Sequence, residues 1–254
     1  MSQNNPHLSI IIPTYNEARR LSDSLHALYH EYLDLALFPY EVIIADDGST
    51  DDTPGMVEEK LLPIFHNLRL LPLPHKGKGH AVKHGMLHAR GQWRMMADAD
   101  FSMPVYELRR MVPQPGTPNH PSVLIASRDT LDIDVRRNPL RWLGGKAFNF
   151  AVRSITGLPF TDTQCGFKLF SHHAAVDIFS RVQIDGFAFD VEALLIAVEL
   201  GYYGIGTIGV DWYEDPDSRV NFASDALTML KDVVAIKQRL RAERERAGIE
   251  TPVQ

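Results

Sequence analysis

Two carboxylates separated by one residue are the most distinctive chemical feature of the sequence. Asp98 and Asp100 flank Ala99 and follow the apolar run 93–97, which we interpret as a buried strand. Side chains two residues apart on a strand point to the same side, so these carboxylates can converge on one hard cation. Mg²⁺ and Mn²⁺ prefer carboxylates combined with phosphate oxygens. We therefore predict that Asp98 and Asp100 bind Mg²⁺ or Mn²⁺, which would neutralise a departing diphosphate.

Side chains that could bind a nucleotide follow two other apolar runs. Asp46 and Asp47 end the run 40–45, and an ionised carboxylate can accept the N–H of a pyrimidine ring or a ribose hydroxyl. An Asx turn with a helix cap is the alternative interpretation of this pair. The basic glycine-rich segment 76–79 opens a predicted helix and offers ammonium groups and bare backbone N–H groups to phosphate. It lacks the Gly-Lys-Ser/Thr sequence of a P-loop.

Histidine and cysteine point to no further chemistry. His80, His84 and His88 recur every four residues. Eight helical residues span about 12 Å, so His80 and His88 cannot share one ion, and a zinc site is disfavoured. Cys165 is the only cysteine and has no evident base beside it in the sequence. We predict that it is a buried structural thiol.

Segments typical of strands and helices alternate through about the first 100 residues. We predict strands at 8–12, 40–45, 68–73 and 93–97, with helices at 21–32, after a cap at Thr53 and from the 76–79 turn to about residue 89. This alternation indicates an α/β fold with a mostly parallel sheet and helices on both faces. Ligands bind such sheets at the carboxyl ends of the strands, where the polar clusters lie. For the second half we predict strands at 123–126, 167–170 and 204–212, and helices at 138–157, 187–200 and 222–246.

Composition limits the classes of function. The 254 residues are 44% hydrophobic and 23% charged, which is ordinary for a globular protein with a core. The net charge of −6 gives no case for nucleic-acid binding, and a single cysteine fits a reducing compartment. Residues 1–7 lack a signal-peptide core, and no apolar run reaches the roughly 20 residues needed to span a bilayer. We expect a cytoplasmic protein that associates peripherally with a membrane.

Three strings of residues resemble family 2 glycosyltransferases of the GT-A fold: IIIPTYNE at 10–17, DDGSTD at 46–51 and DAD at 98–100. Further strings resemble the dolichyl-phosphate glucosyltransferase branch: KGKG at 76–79, DTQCGFKLF at 162–170, FDVE at 189–192 and VDWYE at 210–214. The related dolichyl-phosphate mannose synthases are slightly less similar. The similarity covers roughly residues 8–240, and the string at 162–168 is its most specific part.

The resemblance implies an inverting, metal-dependent hexosyltransferase. The favoured reaction moves glucose from UDP-glucose to a polyprenyl or dolichyl phosphate. The alternatives are a mannosyltransferase that uses GDP-mannose and a family 2 transferase that acts on a glycan hydroxyl. We expect the transferase domain to span residues 1–220 and a helical extension to span residues 221–254. A nucleotidyltransferase is disfavoured, because residues 13–17 stand where that class carries a glycine-rich basic loop.

The resemblance also implies roles for individual residues. The nucleotide pocket would be lined by Pro13, Tyr15, Glu17 and Asp46. Lys78 would lie near the diphosphate, and the metal would be held by Asp98 and Asp100. The residues expected to face the sugar and the acceptor are Arg128, Asp162 and Gln164. Arg219 would close over the diphosphate.

Basic and apolar residues are mixed in the segment 136–156. The basic residues are Arg136, Arg137, Arg141, Lys146 and Arg153, and the apolar residues include Leu140, Trp142, Leu143, Phe148, Phe150 and Val152. This composition suits a helix in a membrane interface that also holds the acceptor phosphate. An ordinary helix packed on the sheet is the alternative. The oxygen of a phosphate acceptor is already negatively charged and needs no base. Asp162 would therefore orient the sugar hydroxyls or the acceptor and would not remove a proton.

Overall fold

The computed structural model describes residues 5–129, 135–136, 139–213 and 222–248, and within these ranges it leaves out the side chains of 135–136, 139–143, 222–225 and 247. The strands are β1 Leu8–Thr14, β2 Tyr40–Asp46, β3 Leu68–Pro72, β4 Trp93–Met96, β5 Val123–Ser127, β6 Val135–Arg136, β7 Lys168–Ser171, β8 Gly206–Gly209 and β9 Trp212–Tyr213. The helices are α1 Leu21–Glu31, α2 Thr53–Met56, α3 Lys78–His88, α4 Leu108–Met111, α5 Pro139–Thr156, α6 His172–Phe179, α7 Phe189–Glu199 and α8 Phe222–Ala247. A π-helical turn, Val57–Leu61, continues α2.

Seven strands form one twisted sheet in the order β3-β2-β1-β4-β7-β5-β8. Six of them run parallel, and β7 is antiparallel to both of its neighbours, β4 and β5. The predicted mostly parallel α/β sheet is therefore confirmed. In its register Thr14 lies beside Asp46, so the ends of β1 and β2 meet at the same edge. β6 and β9 pair separately as a short parallel ribbon.

Both faces of the sheet are buried, which explains the unbroken apolar character of β1. Ile10 and Ile12 belong to the core cluster that packs against α1. Ile11 points to the opposite face, into the cluster formed with α3, α6 and α7. α3 lies very close to that face, because a Cβ on Gly85 would be only 2.4 Å from Cγ2 of Ile11. Helices thus cover both faces, as predicted.

Two local predictions are wrong. Thr53 does not cap α2: Asp52 occupies the cap position, and the Thr53 hydroxyl instead accepts the backbone N–H of Glu17 at 2.8 Å. The predicted strand 204–212 is broken into β8 and β9, because the chain leaves the sheet once Val210 N–H has bound the carbonyl oxygen of Ser127 at 3.1 Å. Helix α6 was not predicted, although Ser171 caps it by accepting the N–H of Ala174.

The amphipathic helix α5 packs partly as a core element. Phe148 and Val152 are buried, so these two residues are not on the outer surface that the membrane interpretation required. Lys146, Phe150 and Arg153 lie on the exposed face, and the Phe150 side chain is 73% exposed. The side chains of Arg136 and Arg141 and all of Arg137 lie outside the described residues.

The C-terminal helix α8 packs against α5 and α7. Its Val233, Ile236 and Leu240 are buried in the same core cluster as α3 and α6. The predicted domain boundary at residue 220 lies outside the described residues. None of the helices in the described parts of the chain combines the length and the apolar character that crossing a bilayer requires.

Candidate active site

The acidic pair Asp98 and Asp100 lies in the turn that follows β4, at the carboxyl edge of the sheet. Ala99 between them is buried while both aspartates are partly exposed, so the two carboxylates share one side of the chain. The turn is closed by Phe101, whose φ of 44° is left-handed, and by the N–H of Ser102, which binds Oδ1 of Asp100 at 3.0 Å.

Two cations face this acidic pair. The Lys78 ammonium, at the first residue of α3, lies 2.5 Å from Oδ1 of Asp98. Burial lowers the pKa of Lys78, but the neighbouring charge of Asp98 raises it above its usual value. Arg20 forms an ion pair with Glu17 and places Nη1 4.0 Å from Oδ2 of Asp100. Carboxylates and cations therefore lie side by side at this edge. The carboxylates could bind a metal, and the cations could bind a diphosphate.

The chemistry of the pair fits a hard divalent cation. Burial, followed by the charge of Asp98, raises the pKa of Asp100 above its ordinary value. A divalent cation would relieve the repulsion between two neighbouring carboxylates of this kind. Within the ranges that the structure describes, no three acidic, histidine or cysteine side chains gather to enclose an ion. A metal held by Asp98 and Asp100 would complete its ligands with diphosphate oxygens and water.

The backbone of Gly166 lies against the side chain of Asp98. A Cβ built on Gly166 would lie 1.8 Å from Oδ2 and 2.2 Å from Cγ of Asp98, far inside the contact distance of any two atoms. Any larger residue at this position must displace the carboxylate or the backbone. Gly166 is therefore packed directly against the Asp98 carboxylate.

The two aspartates after β2 have different environments. Asp46 is buried, and its carboxylate accepts hydrogen bonds from the Thr14 hydroxyl at 3.0 Å and from the backbone N–H of Ser49 at 2.9 Å. The sequence offered Asp47 the same nucleotide-binding role as Asp46, but its carboxylate accepts the N–H groups of Lys76 and Gly77 at 3.0 and 2.9 Å. Asp46 thus closes its own turn, whereas Asp47 positions the loop that leads into Lys78.

The remaining predicted nucleotide residues lie along the end of β1. Pro13 is partly buried in the strand, and Glu17 is largely buried against Arg20. Tyr15 is exposed and stacks on His75, with ring centroids 4.1 Å apart and planes inclined by 14°. The structure thus brings Tyr15 and Lys78 to neighbouring parts of one edge, connected through the loop that Asp47 holds.

Arg128 and Asp162 bind each other at the end of β5. Nε and Nη2 of Arg128 donate to the two carboxylate oxygens of Asp162, each at 2.8 Å, and the Arg128 backbone N–H donates at 3.0 Å. Burial raises the pKa of Asp162, but the charge and hydrogen bonds of Arg128 outweigh it and hold the pKa below its usual value. The guanidinium lies 4.9 Å from the ring centroid of Trp212. Both carboxylate oxygens of Asp162 are therefore occupied by Arg128, which favours their ionised form.

The structure says less about the two remaining predicted site residues, Gln164 and Arg219. Nε2 of Gln164 lies 4.0 Å from the sulfur of Met229 on α8, so it faces the C-terminal helix. Arg219 lies outside the described residues. Cys165 is buried, as predicted, and burial raises the pKa of its thiol to about 12.

Sequence reasoning missed two groups that the structure brings to this region. Arg20 reaches Asp100. Lys168 and Asp190 form a buried ion pair at 2.5 Å. Both residues stand in strings that carry the family resemblance, and a lysine and an aspartate within otherwise apolar segments were the available signal.

Comparison with known proteins gives consistent results. The profile described as "Glycosyl transferase family 2" matches residues 9–179. The chain is 35% identical to the dolichyl-phosphate beta-glucosyltransferase of Dictyostelium discoideum, over 92% of this chain and 75% of that protein. It is 34% identical to the Homo sapiens dolichyl-phosphate beta-glucosyltransferase, over 91% of this chain and 75% of that protein.

Solved structures show the same fold at lower identity. Glucosyl-3-phosphoglycerate synthase from Mycobacterium tuberculosis, in complex with Mn²⁺, UDP-glucose and glycerol 3-phosphate, superposes with a TM-score of 0.65 and 17% identity. The superposition covers 97% of this chain and 82% of that one. Mannosyl-3-phosphoglycerate synthase from Rubrobacter xylanophilus gives a TM-score of 0.64 at 15% identity, over 98% of this chain and 77% of that one. The predicted GT-A fold is thereby confirmed.

Proposed function

The chain belongs to glycosyl transferase family 2, and on this premise we propose that it transfers glucose, with inversion, from UDP-glucose to a dolichyl or related polyprenyl phosphate. The observation that carries the proposal is the identity of 30–35% to dolichyl-phosphate beta-glucosyltransferases over nine-tenths or more of the chain. The β product of those relatives is what inversion of an α-linked nucleotide-sugar gives.

At the donor side, we propose that Pro13, Tyr15, Glu17 and Asp46 line the nucleotide pocket and that Lys78 contacts the diphosphate. Asp98 and Asp100 would hold Mg²⁺ or Mn²⁺, which when bound supplies positive charge to the leaving diphosphate. Lys78 would add a second cation where negative charge grows in the transition state. Arg219, outside the described residues, remains a predicted third cation.

At the acceptor side, we propose that Arg128 meets the acceptor phosphate and that Asp162 fixes the guanidinium. A carboxylate whose pKa is lowered and whose two oxygens both bind Arg128 is a poor general base. A phosphate acceptor needs no base, because its oxygen is already anionic. The environment of Asp162 therefore supports a phosphate acceptor over a glycan hydroxyl.

A transfer assay tests this function. The protein is incubated with Mn²⁺ and radiolabelled UDP-glucose or GDP-mannose, and with dolichyl phosphate, free dolichol or a glycan acceptor. Label from UDP-glucose on dolichyl phosphate alone is the expected result. Label from GDP-mannose would identify a mannosyltransferase, and equal transfer to the free alcohol would exclude the phosphate mechanism.

We expect Asp162→Asn to retain measurable transfer while the KM for the lipid phosphate rises. The substitution removes the charge that orients Arg128, but it removes no base. The rate should increase with pH through about 6, the second pKa of a phosphate monoester, and then level off. The same profile is expected for the Asp162→Asn variant. Loss of the Asn variant's activity by 10²–10⁴-fold, the order of magnitude for a missing base, would contradict the orienting role.

We also propose that the exposed face of α5 lies against the membrane that carries the acceptor. Lys146, Phe150 and Arg153 recur at helical spacing on that face, and Phe150 is far more exposed than a phenylalanine usually is. An aromatic ring flanked by basic groups suits the boundary between headgroups and acyl chains.

The combined substitution Phe150→Ser and Arg153→Glu is expected to weaken binding to anionic liposomes at low salt by more than about tenfold. Each charge near an anionic surface contributes about 1 kcal/mol, and salt screens it. Sedimentation with phosphatidylserine vesicles at low and high salt measures the effect. The matched control is Leu37→Ser, which removes an apolar side chain that is 97% exposed elsewhere on the surface. Equal sedimentation of both variants with the unmodified protein would exclude α5 as the membrane contact.

A further inference from the structure

A buried glutamate organises the loop between α6 and α7. Glu192, on the first turn of α7, is completely buried. Its carboxylate accepts the backbone N–H of Ile184 at 2.8 Å and that of Gln183 at 3.0 Å. Glu192 therefore holds the segment 182–186, which we call the support loop. It has no part in the roles proposed above for the transfer reaction.

Two hydrogen bonds join the support loop to α3. The backbone N–H of His80, in the first turn of α3, donates to the carbonyl oxygen of Asp185 at 3.2 Å. Nζ of Lys83, further along the same helix, donates to the carbonyl oxygen of Val182 at 2.7 Å. The start of α3 is thus fixed to the support loop at two points.

Two glycines let the support loop approach the turn before α3 closely. A Cβ on Gly77 would lie 2.5 Å from the carbonyl oxygen of Asp185, and one on Gly79 would lie 2.4 Å from that of Ile184. A side chain at either position would push the loop and the turn apart. From another direction, the Asp47 carboxylate accepts the N–H of Gly77 at 2.9 Å. The backbone of this turn is therefore held both by Asp47 and by the support loop.

The C-terminal helix supplies the counter-ion of Glu192. Nη2 of Arg239, on α8, lies 2.5 Å from Oε1 of Glu192. Burial raises the pKa of Glu192, whereas the two loop N–H groups and Arg239 lower it. Stability is a weak explanation for a charge kept at this cost, because apolar residues of similar volume often serve a fold equally well. Both residues lie beyond the segment 9–179 that matches the family 2 profile.

We propose that Glu192 is a positioning residue for donor binding: with Arg239 as its counter-ion, it fixes the support loop, which fixes the backbone of residues 77–79 where the diphosphate binds. The proposal rests on the function proposed above, because it assigns this turn to the diphosphate. Without the Glu192 carboxylate, the loop loses its anchor and the turn loses one of its two supports. Donor affinity then falls, while the acceptor site at Arg128 and Asp162 is built from other segments and keeps its affinity.

Glu192→Gln is expected to raise the Kd of UDP about tenfold, within the range of couplings between residues in one network. Isothermal titration calorimetry at saturating Mn²⁺ measures this constant without catalysis. In the transfer assay the KM for UDP-glucose should rise by a similar factor while kcat is kept, the pattern of lost uniform binding. The KM for dolichyl phosphate should change by less than about twofold, as expected for an independent site. A merely structural role would lower the unfolding temperature without this division between donor and acceptor.

The matched control is Glu199→Gln, at the other end of α7 from the support loop. Glu199 pairs with Arg244 of α8 at 2.9 Å, so it joins the same two helices as Glu192 does. Its substitution should lower the unfolding temperature and leave the Kd of UDP unchanged. Arg239→Lys keeps a cation beside Glu192 and should bind UDP like the unmodified protein, whereas Arg239→Met should share the defect of Glu192→Gln.

Lys83→Met tests the support loop from the side of α3, and it carries the test if Glu192→Gln does not fold. It removes the hydrogen bond to Val182 and should raise the Kd of UDP by about threefold, the order of magnitude for one hydrogen bond. Its control is Lys237→Met, because Nζ of Lys237 likewise donates to a backbone carbonyl oxygen, that of Ile155, but joins α8 to α5. The control should leave UDP binding unchanged.

The outcomes separate the positioning role from the proposed function. An unchanged Kd of UDP in Glu192→Gln would overturn the positioning role, and so would equal increases in Glu192→Gln and Glu199→Gln. Equal increases in the KM for donor and acceptor would overturn it as well. Absence of UDP binding by the unmodified protein with Mn²⁺ would overturn the proposed function, and the positioning role with it. UDP binding that depends on Glu192 in a protein that transfers no glucose to dolichyl phosphate would support the positioning role and overturn the proposed acceptor.

Discussion

Asp98→Asn and Asp100→Asn are each expected to lower the rate of glucose transfer by about 10²–10³-fold or more, the order of magnitude for losing one preorganised electrostatic group. Each substitution removes one of the two carboxylates that would bind Mn²⁺, while the amide keeps the size of the side chain. Initial rates at increasing Mn²⁺ measure the loss. Full activity of the unmodified protein in EDTA would contradict a metal role for these residues.

Asp100→Asn should also change stability in a way that separates inactivity from misfolding. Because burial and the charge of Asp98 raise the pKa of Asp100, its ionised form destabilises the folded protein at neutral pH. The metal-free Asn variant should therefore unfold at a higher temperature than the unmodified protein. The gain should be present at pH 7 and disappear as the pH falls below the ordinary aspartate pKa, where Asp100 is protonated in both states. A lower unfolding temperature at pH 7 would show that the carboxylate is needed for folding.

Gly166→Ala is expected to reduce transfer about 10²-fold although it adds a single methyl group. The new Cβ would overlap the Asp98 carboxylate at 1.8 Å, so either that carboxylate or the backbone at 166 must shift, and we expect Asp98 to leave its position beside Lys78. Misplacement of a catalytic group by about 1 Å can cost on the order of 10²-fold in rate. Steady-state kinetics with UDP-glucose and a soluble short-chain polyprenyl phosphate give the effect.

Gly145→Ala on α5 is the matched control for that substitution. A Cβ at Gly145 meets no atom within 4 Å, so the variant should keep its activity and unfold at the same or a slightly higher temperature. A further check is Mn²⁺ affinity, which should fall for Gly166→Ala and not for Gly145→Ala. An active Gly166→Ala protein would mean that the 162–166 segment adapts without moving Asp98.

Much of the fold could be predicted from periodicity alone. Isoleucine-rich runs such as residues 10–12 predict strands buried on both faces, and the alternation of strands with amphipathic segments predicts a parallel sheet. The antiparallel direction of β7 could not be predicted, because a four-residue strand has the same pattern in either direction. Thr53 was misassigned for a similar reason: both Asp52 and Thr53 suit a cap, and only the tertiary bond from Glu17 N–H to Thr53 decides between them.

Site residues could be predicted where the reactive side chains directly follow one strand. They could not be predicted where residues from distant parts of the sequence come into contact. Asp98 and Lys78 follow recognisable local patterns, and the structure brings them within 2.5 Å of each other. Asp46 and Asp47 received the same possible role, because two adjacent carboxylates look alike in sequence although their backbone partners differ. The Lys168–Asp190 pair joins positions 22 residues apart through burial, which no local pattern reveals.

The antiparallel strand β7 has a consequence for the order of folding. Strands β1 to β4 all lie within the first 96 residues, so this half of the sheet can form before the later strands are available. β7 then inserts between β4 and β5 from later in the chain, and the turn that leads into it places Gly166 against the Asp98 carboxylate. On a ribosome, Asp98 and Lys78 would be exposed well before their supporting residues are synthesised. A nascent chain released before residue 168 should therefore contain a collapsed sheet and yet bind neither metal nor nucleotide, which makes donor binding a late event in biosynthesis.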